Sequence, residues 1–589
     1  MRDGANHSST TKSKKGHVSF TQLSAYGAGG IIPIALFNVA GILVGLMGNI
    51  SLGLSAFWLG VILIIPRLWD AVSDPIIGHL SDNTRTRWGR RRPYLLIGGI
   101  LVAFFFVVIW WIPKGETVHT WFPTESGFQA FQLVYILVSL LLFYTACTIF
   151  EIPHGALGME MTTDHHERTR LFSAKSFVGN LFAMSTPWLF AMANMEIFRG
   201  TGGNEADGMR YVSLLIAAIL IPLSFWWTIT LREPGFVKVA SQEKTPFWKD
   251  MRHTAGNRNF IMLTLTIFTL AMGFNFVNLL GSYIPIFYVF GGDKVAGANL
   301  LGINGTVWAI TGVFAVFPLN WISPVIGKRK TLVIAILLMC VAQLSKIVCY
   351  NPEYPYLILI PTVLLSMGML FFFTLGASMV GDICDEDELN TGYRSEGSYY
   401  SIYWWFIKMG TAFASFVAGA LIVFTQFDET QVTKVDALQG SVRELRSEVE
   451  VDQDIPDRTA RLEELINKSG DRAEALREHL ETAAQETDRD PEHYHSILQS
   501  IGDVNDRIDA LEPTAAEDKL GAELIPIEEE IEKLKRQSPY TLLMMRVVEI
   551  GLPLLLSLFS FFFIFRYTLT ENRIQEIKEE LGKEETENP

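Results

Sequence analysis

The chain has 589 residues, 49% of them hydrophobic and 12% aromatic, with a mean hydropathy of +0.26, which excludes an ordinary soluble domain of this length. The formal net charge of −14 is unevenly spread: residues 428–540 hold 30 acidic and 14 basic residues, a balance of −16, and the remainder stands at +2. The acidity therefore belongs to one hydrophilic insert and says nothing of the apolar part; no nucleic-acid partner is expected.

The polar opening MRDGANHSSTTKSKKGHVSF has no apolar core followed by a small-residue cleavage site, so no removable signal peptide is read and residues 1–24 form an N-terminal tail. Stretches near the roughly 20 apolar residues needed to cross a bilayer follow. They lie at 25–47, 54–79, 93–112, 130–159, 171–196, 210–230, 257–290, 297–322, 331–350, 356–381, 397–426 and 541–567, predicting twelve transmembrane helices in an all-α membrane protein. Basic residues cluster in alternate connections, as RTRWGRRRP, ERTR, the 231–256 loop and GKRK. The excess of Lys and Arg on the inner side places both termini, including a tail at 568–589, in the cytoplasm and the insert outside the cytoplasmic membrane. Four cysteines, Cys147, Cys340, Cys349 and Cys384, imply no disulfide framework.

The halves rhyme. WGRRRPYLLIGGI after the second span echoes IGKRKTLVIAILL after the eighth, and GALGMEMTTDHHERTRLFS after the fourth echoes GASMVGDICDEDELNTGYRS after the tenth. Two six-helix bundles follow, 25–230 and 257–427 completed by 541–567, joined by a central loop at 231–256. Internal repeats of this kind characterise secondary transporters with a site between the halves.

Asp70 and Asp74 in LWDAVSDPIIG share a helix face inside a predicted span, and Glu151 in CTIFEIPHG and Lys408 in WWFIKMGTAF each sit in the apolar surroundings of a further span. Intramembrane carboxylates are costly unless they face an interior cavity, and two so close raise each other's proton affinity or need a cation between them. The alternative is a helix-end cap by Asp74 beside Pro75 with a local pair between Asp70 and Arg67. Lys408 balances one of the carboxylates, either as a fixed pair joining the halves or as a switch that breaks when an ion binds. His154 reads as packing. His165, His166 and Glu167 lack the helical spacing of a zinc protease, so no metal site is read there, and YGAGG at 26–30 reads as close helix packing rather than nucleotide binding. With no nucleophile-base or metal motif, no enzyme activity is expected.

WDAVSDPIIGHLSDNTRTRWGRRRP resembles the signature of the glycoside-pentoside-hexuronide:cation symporters, the melibiose permease-like branch of the major facilitator superfamily. The likeness continues through FEIPHGAL, ERTRLFS, GDICDEDELNTGYRSEGSYYSI and FIKMGTAFASF, covering both bundles in order. It implies a major facilitator fold working by alternating access on a cation gradient. By position, Asp70, Asp74 and Thr148 match coupling-cation ligands of the melibiose type, and Ser73 stands where that type has an asparagine. Oxygen ligands suit a hard ion such as sodium, and the lost amide makes a proton more plausible than it is with the asparagine in place. Glu151 matches the sugar-engaging carboxylate and Lys408 the interior lysine, while the helix-one lysine–aspartate pair is absent and the helix-four tryptophan corresponds to Gly155. The family also carries pentosides, glucuronides, sucrose and, in animals, lysolipids. Asn275, Asn278 and Trp404 of YYSIYWWF are candidates for stacking on or hydrogen bonding to a sugar, or for packing. Arg168 and Arg394 facing Asp382, Asp385 and Glu396 match a cytoplasmic gate.

In the insert, VDALQGSVRELRSEVEV, RTARLEELINKSGDRAEALREHL and IPIEEEIEKLKR have apolar residues at three- and four-residue steps, predicting a helical hairpin or short coiled coil. Poor in aromatics, it reads as a helical ornament rather than a sugar-binding domain, with any protein partner unspecified. The expected function is symport of a small sugar, glycoside or uronide with sodium or a proton, in the bilayer and as a monomer. The alternatives are a lysolipid transporter of the same family or a non-transporting sensor on the same fold.

Overall fold

The structure, a computed structural model, describes residues 18–587 other than 37–39, 41–43, 45–53, 55, 115–117, 119, 123, 163, 186–188, 190–191, 194, 201–204, 235–245, 282, 393, 450–457, 486–489 and 514–516. Most of the N-terminal tail, most of the second half of the first predicted span and the middle of the central loop therefore lie outside the described residues. Among the described residues the protein is helical, with one isolated bridge between Thr86 and Gly89.

The first half contains α1 Phe20–Ala28, α2 Ala56–Asn83, α3 Arg92–Trp110, α4 Glu125–Glu160, α5 His165–Ala183 and α6 Glu205–Thr230. The second contains α7 Arg258–Leu280, α8 Lys294–Phe314 with a continuation Val316–Ile326 after a 43° bend, α9 Lys328–Cys349, α10 Leu359–Thr391 and α11 Glu396–Phe424. The insert contributes α12 Glu429–Val449, α13 Arg458–Gln485, α14 Pro491–Asp509 and α15 Glu517–Lys533; α16 Pro539–Ile564 and α17 Glu571–Glu587 end the chain. Among the described residues, seven helices are long and apolar enough to cross a membrane, eight if the bent α8 pair is one span. α2 and α11, of 28 and 29 residues, are also long enough, and each carries charge inside its apolar run.

Two apolar cores fill the two halves. The first is built on Val102, Phe106, Ile136, Phe143, Phe150 and Trp227. The second, on Ile267, Leu319, Ile336, Phe372 and Tyr403, takes in Ile152, Met159 and Phe172 from α4 and α5, so the bundles share a continuous packed interface. On α2, Leu68, Trp69, Val72 and Ile76 are exposed while Asp70, Ser73 and Asp74 are buried. Helical spacing thus turns an apolar face outward, as lipid requires, and the polar face toward the other bundle.

The internal repeat has a structural basis. Gly89 and Gly327 stand just before the basic runs that lead into α3 and α9, at φ of +108° and +87°, a conformation that favours glycine. Four-residue stretches TLRE (230–233) and TLTE (568–571) follow the last helix of each bundle. In the first half, the Glu233 carboxylate accepts the backbone N–H groups of Arg90, Arg91 and Arg92 at 2.8, 2.9 and 2.8 Å, supplying from a distant segment the N-terminal cap that α3 lacks locally.

The insert closes more fully than a hairpin. Val435, Leu438, Val442, Leu465, Leu476, Ile501, Val504, Leu524 and Ile527, drawn from all four of its helices, form a separate core. At its base, Asp428 accepts from His479 Nε2 at 2.9 Å and Tyr494 Oη at 3.1 Å, and Gln431 Nε2 donates to the Leu534 carbonyl at 2.6 Å. Entry and exit strands of chain are therefore adjacent, and the insert rises from the α11 end opposite the basic loops. Replacing residues 432–533 by a short Gly/Ser linker is expected to leave both bundles folded, read as a monodisperse membrane protein whose melting midpoint stays near wild type; aggregation would show that the insert is integral to the bundles.

Candidate functional site

The charges predicted to be buried converge midway along the interface. Lys408 Nζ on α11 lies 2.8 Å from Asp74 Oδ2 and 3.0 Å from Asp70 Oδ2, joining the second bundle to the first. Thr148 on α4 donates to Asp74 Oδ1 at 3.0 Å. Asp70 and Asp74 are fully buried and Lys408 is 6% exposed. Ser73 between them is buried too, with no hydrogen-bond partner for Oγ among the described residues, and the oxygens of Asp70 have only the lysine pair. The Arg67 side chain lies outside the described residues; both acids turn to Lys408.

Glu151, one turn beyond Thr148 and buried, stands within electrostatic reach of Lys175, Lys408 and Asp70. Lys175 on α5 was not singled out in the sequence. Buried to 4% exposure, it donates to Tyr400 Oη at 3.1 Å across the bundle interface. The set then holds three carboxyl groups against two ammonium groups, one negative charge in excess if all are ionised. Such an imbalance in a buried site is costly, and a single monovalent cation removes it.

Aromatic rings line the same region. Trp404 lies one turn before Lys408, with ring centroids of Tyr403, Tyr400 and Phe373 at 6.0, 6.2 and 6.2 Å. The Tyr400 ring occupies the space a side chain at Gly155 would enter, since a Cβ there would lie 2.0 Å from it. Asn275 donates to the Thr411 carbonyl at 2.7 Å and so binds α7 to α11 one turn from Lys408. Asn278 is exposed and does not join the cluster. His154 stacks on Tyr26 at 4.3 Å and meets its carbonyl at 3.1 Å, in keeping with a packing role. YGAGG packs against α5, where a Cβ on Gly30 would come within 2.2 Å of the Lys175 carbonyl oxygen.

The predicted gate residues meet at the basic end. Arg168 donates to Asp382 and Asp385, each at 2.9 Å, and Lys328 reaches the other Asp382 oxygen at 2.7 Å. Arg394 pairs with Glu388 at 2.6 Å, with Asp385 at 3.6 Å and closely with Glu396. Asp382 and Asp385 lie on α10 rather than in a loop, because these pairings let the helix continue past the predicted span. Arg90 and Arg91 add a second layer. Although they read as loop charges, both are fully buried, Arg90 against Glu396 at 2.6 Å and Glu160 at 3.1 Å, Arg91 against Asp82 at 2.5 Å. Asp82 also accepts the N–H groups of Gly397 and Ser398 at 3.1 and 2.8 Å, a carboxylate at the positive start of α11.

Outside the spans, burial lowers the Lys578 ammonium to about 8, with Arg168 nearby acting the same way. Burial tends to raise Glu571, but the His165 hydrogen bond and neighbouring positive groups bring it below the usual range. Removing Arg168 leaves Asp382 its lysine and Asp385 its second arginine. Arg168→Ala is therefore expected to cost about 3 kcal/mol, at the low end for breaking a buried pair, and to speed amide hydrogen exchange at 382–398 selectively; unchanged exchange there would show that Arg168 does not hold this cluster together.

The MFS/sugar transport protein family model matches residues 25–448. The isoprimeverose transporter of Lactiplantibacillus pentosus is 25% identical over 63% of this chain and 73% of its own. Sodium-dependent lysophosphatidylcholine symporter 1-A of Danio rerio is 22% identical over 66% of this chain and 74% of its own. Among solved structures, a bacterial homologue of the iron transporter ferroportin in an outward-facing state matches the fold with a TM-score of 0.52 at 13% identity, covering 69% of this chain and 93% of that one. With two packed bundles, a charged cluster between them and a family match spanning both, the chain belongs to the MFS/sugar transport family that its motifs resemble, the glycoside-pentoside-hexuronide:cation symporters.

Proposed function

We propose that the protein imports a sugar, glycoside or uronide across the cytoplasmic membrane by alternating access, coupled to sodium or a proton. The observation that carries this reading is Lys408 shared by Asp70 and Asp74, with Thr148 donating to the Asp74 carboxylate. The coupling cation enters among the oxygens of Asp70, Asp74, Thr148 and Ser73, cancels the excess negative charge and loosens the pairing that ties α11 to α2. Sodium is the favoured ion, since all four positions offer hard oxygen donors. No cofactor is required.

Glu151, Lys175, Tyr400 and Trp404 form the cargo face. A carboxylate, an ammonium and a phenol beside aromatic rings suit the hydroxyls and apolar ring faces of a sugar better than an acyl chain. Asn275 contributes to helix packing. The isoprimeverose transporter agrees with a glycoside cargo, and the lysophosphatidylcholine symporter marks the rival cargo. The ion pairs among Arg168, Arg90, Arg91, Asp82, Asp382, Asp385, Arg394 and Glu396 close the cytoplasmic side. Both termini are cytoplasmic and the insert is external.

Two variants in proteoliposomes test the assignment. Asp74→Asn is expected to abolish uphill accumulation of labelled glycoside under a sodium gradient while leaving the protein inserted, and normal accumulation would sink the cation site. Glu151→Gln is expected to weaken glycoside binding by about tenfold, the loss of one charge-assisted hydrogen bond, with cation affinity little changed; equal glycoside affinity would move the cargo elsewhere. Binding without labelled-substrate exchange in the wild type would favour the sensor.

A further inference from the structure

At the basic end, a cluster that the transport reading does not use joins the last helix to the first bundle. His165 and His166 open α5, and Glu571 opens α17, yet their side chains meet. Asp164 accepts the N–H groups of His166 and Glu167 at 2.8 and 3.3 Å, fixing the first turn of α5 and so the two imidazoles, whose centroids lie 3.9 Å apart. On the other side α17 is seated by Ile574 and Ile577, 4% and 1% exposed. We propose that His165, His166 and Glu571 form a binding site for a divalent transition-metal ion of the zinc class, which fastens α17 to α5.

The donor atoms of the three side chains all lie within 4.8 Å of one another. A tetrahedral zinc with ligands near 2.0–2.2 Å holds its donors about 3.4 Å apart, so closure needs only side-chain adjustment. Two imidazoles and one carboxylate suit zinc, whereas magnesium and calcium prefer all-oxygen sets. The side chains of His165, His166 and Glu571 are 13%, 38% and 33% exposed, which leaves an entry path and a fourth position for water.

A second observation comes from the internal repeat. Glu233, the counterpart of Glu571, spends its carboxylate on three backbone amides. Glu571 lies over Gly327, where its Oε2 would meet an added Cβ at 3.0 Å, but its hydrogen bond among the described residues goes to His165 instead. The repeated acid has thus been turned from capping its own bundle to meeting histidines of the other. The opposing influence is Lys578, whose Nζ stands 3.1 Å from His165 Nδ1, while Lys328 is engaged by Asp382.

Full-length protein purified without a polyhistidine tag and stripped with chelator, titrated calorimetrically with zinc and separately with magnesium, tests the site. One equivalent of zinc is expected to bind and magnesium to give no heat. His165→Ala, His166→Ala and Glu571→Gln are each expected to weaken zinc by about tenfold or more, and Lys578→Met to tighten it by removing the competing cation. Cobalt in place of zinc is expected to give the visible absorption of a tetrahedral nitrogen–oxygen site in wild type and to lose it in Glu571→Gln, a conservative change that serves if a histidine variant fails to fold. No saturable zinc binding, or binding and cobalt absorption unchanged in Glu571→Gln, would overturn the proposal and leave the cluster a salt bridge between helices.

Discussion

A single ammonium group shared by two carboxylates in the apolar interior governs how the two bundles meet. Removing three charged groups from water costs several kcal/mol each, and only close mutual pairing offsets it. Lys408, Asp70 and Asp74 therefore fix α11 against α2 in one register. The same balance makes the arrangement sensitive: with Glu151 and Lys175 included and all groups ionised, the cluster is one positive charge short, so a monovalent cation placed there would change the energy of the interface rather than merely occupy it.

The basic end applies the same physics to a different purpose. Arg168, Arg90 and Arg91 are fully buried, and their acidic partners come from both bundles. Each acid has more than one cationic or amide neighbour, so losing a single pair does not leave an acid bare. Alternating access requires such a seal to be firm yet breakable. Asp82, near the end of α2, accepts backbone N–H groups at the start of α11, so this charged cluster and Lys408 are attached to the same helix.

Much of this was legible in the sequence because charge in an apolar helix has few explanations. Asp70, Asp74 and Lys408 stood out on that ground, and the family resemblance added Thr148. Arg90 and Arg91 were hidden in plain view: a basic run after a span looks like any cytoplasmic loop, and their partner Glu396 lies some three hundred residues away. Lys175 lies five residues into the predicted 171–196 span, close enough to the ERTR run to read as its continuation, although its charge inside a span was a signal that could have found it. The acids from Asp382 to Glu388 marked the end of the predicted tenth span, yet α10 runs on to Thr391 because arginine and lysine neutralise Asp382, Asp385 and Glu388 while His253 and Asn259 meet Asp387 and Glu386. The helical period of the insert was readable segment by segment, but its closure into four helices depends on which apolar faces meet, which periodicity does not encode. Asn278 fell away because a helical residue type says nothing of the side it faces.

The sodium affinity of Lys408→Gln, measured at alkaline pH by calorimetry on the full-length protein, separates a lysine that competes with the ion from one that only ties the helices. If Lys408 is the internal cation with which the coupling ion competes, its removal leaves the two carboxylates without a resident positive charge, and sodium binds more tightly than in wild type. Unchanged or lost sodium binding in a folded variant would contradict the account, leaving Lys408 a structural tie and placing the ion site elsewhere.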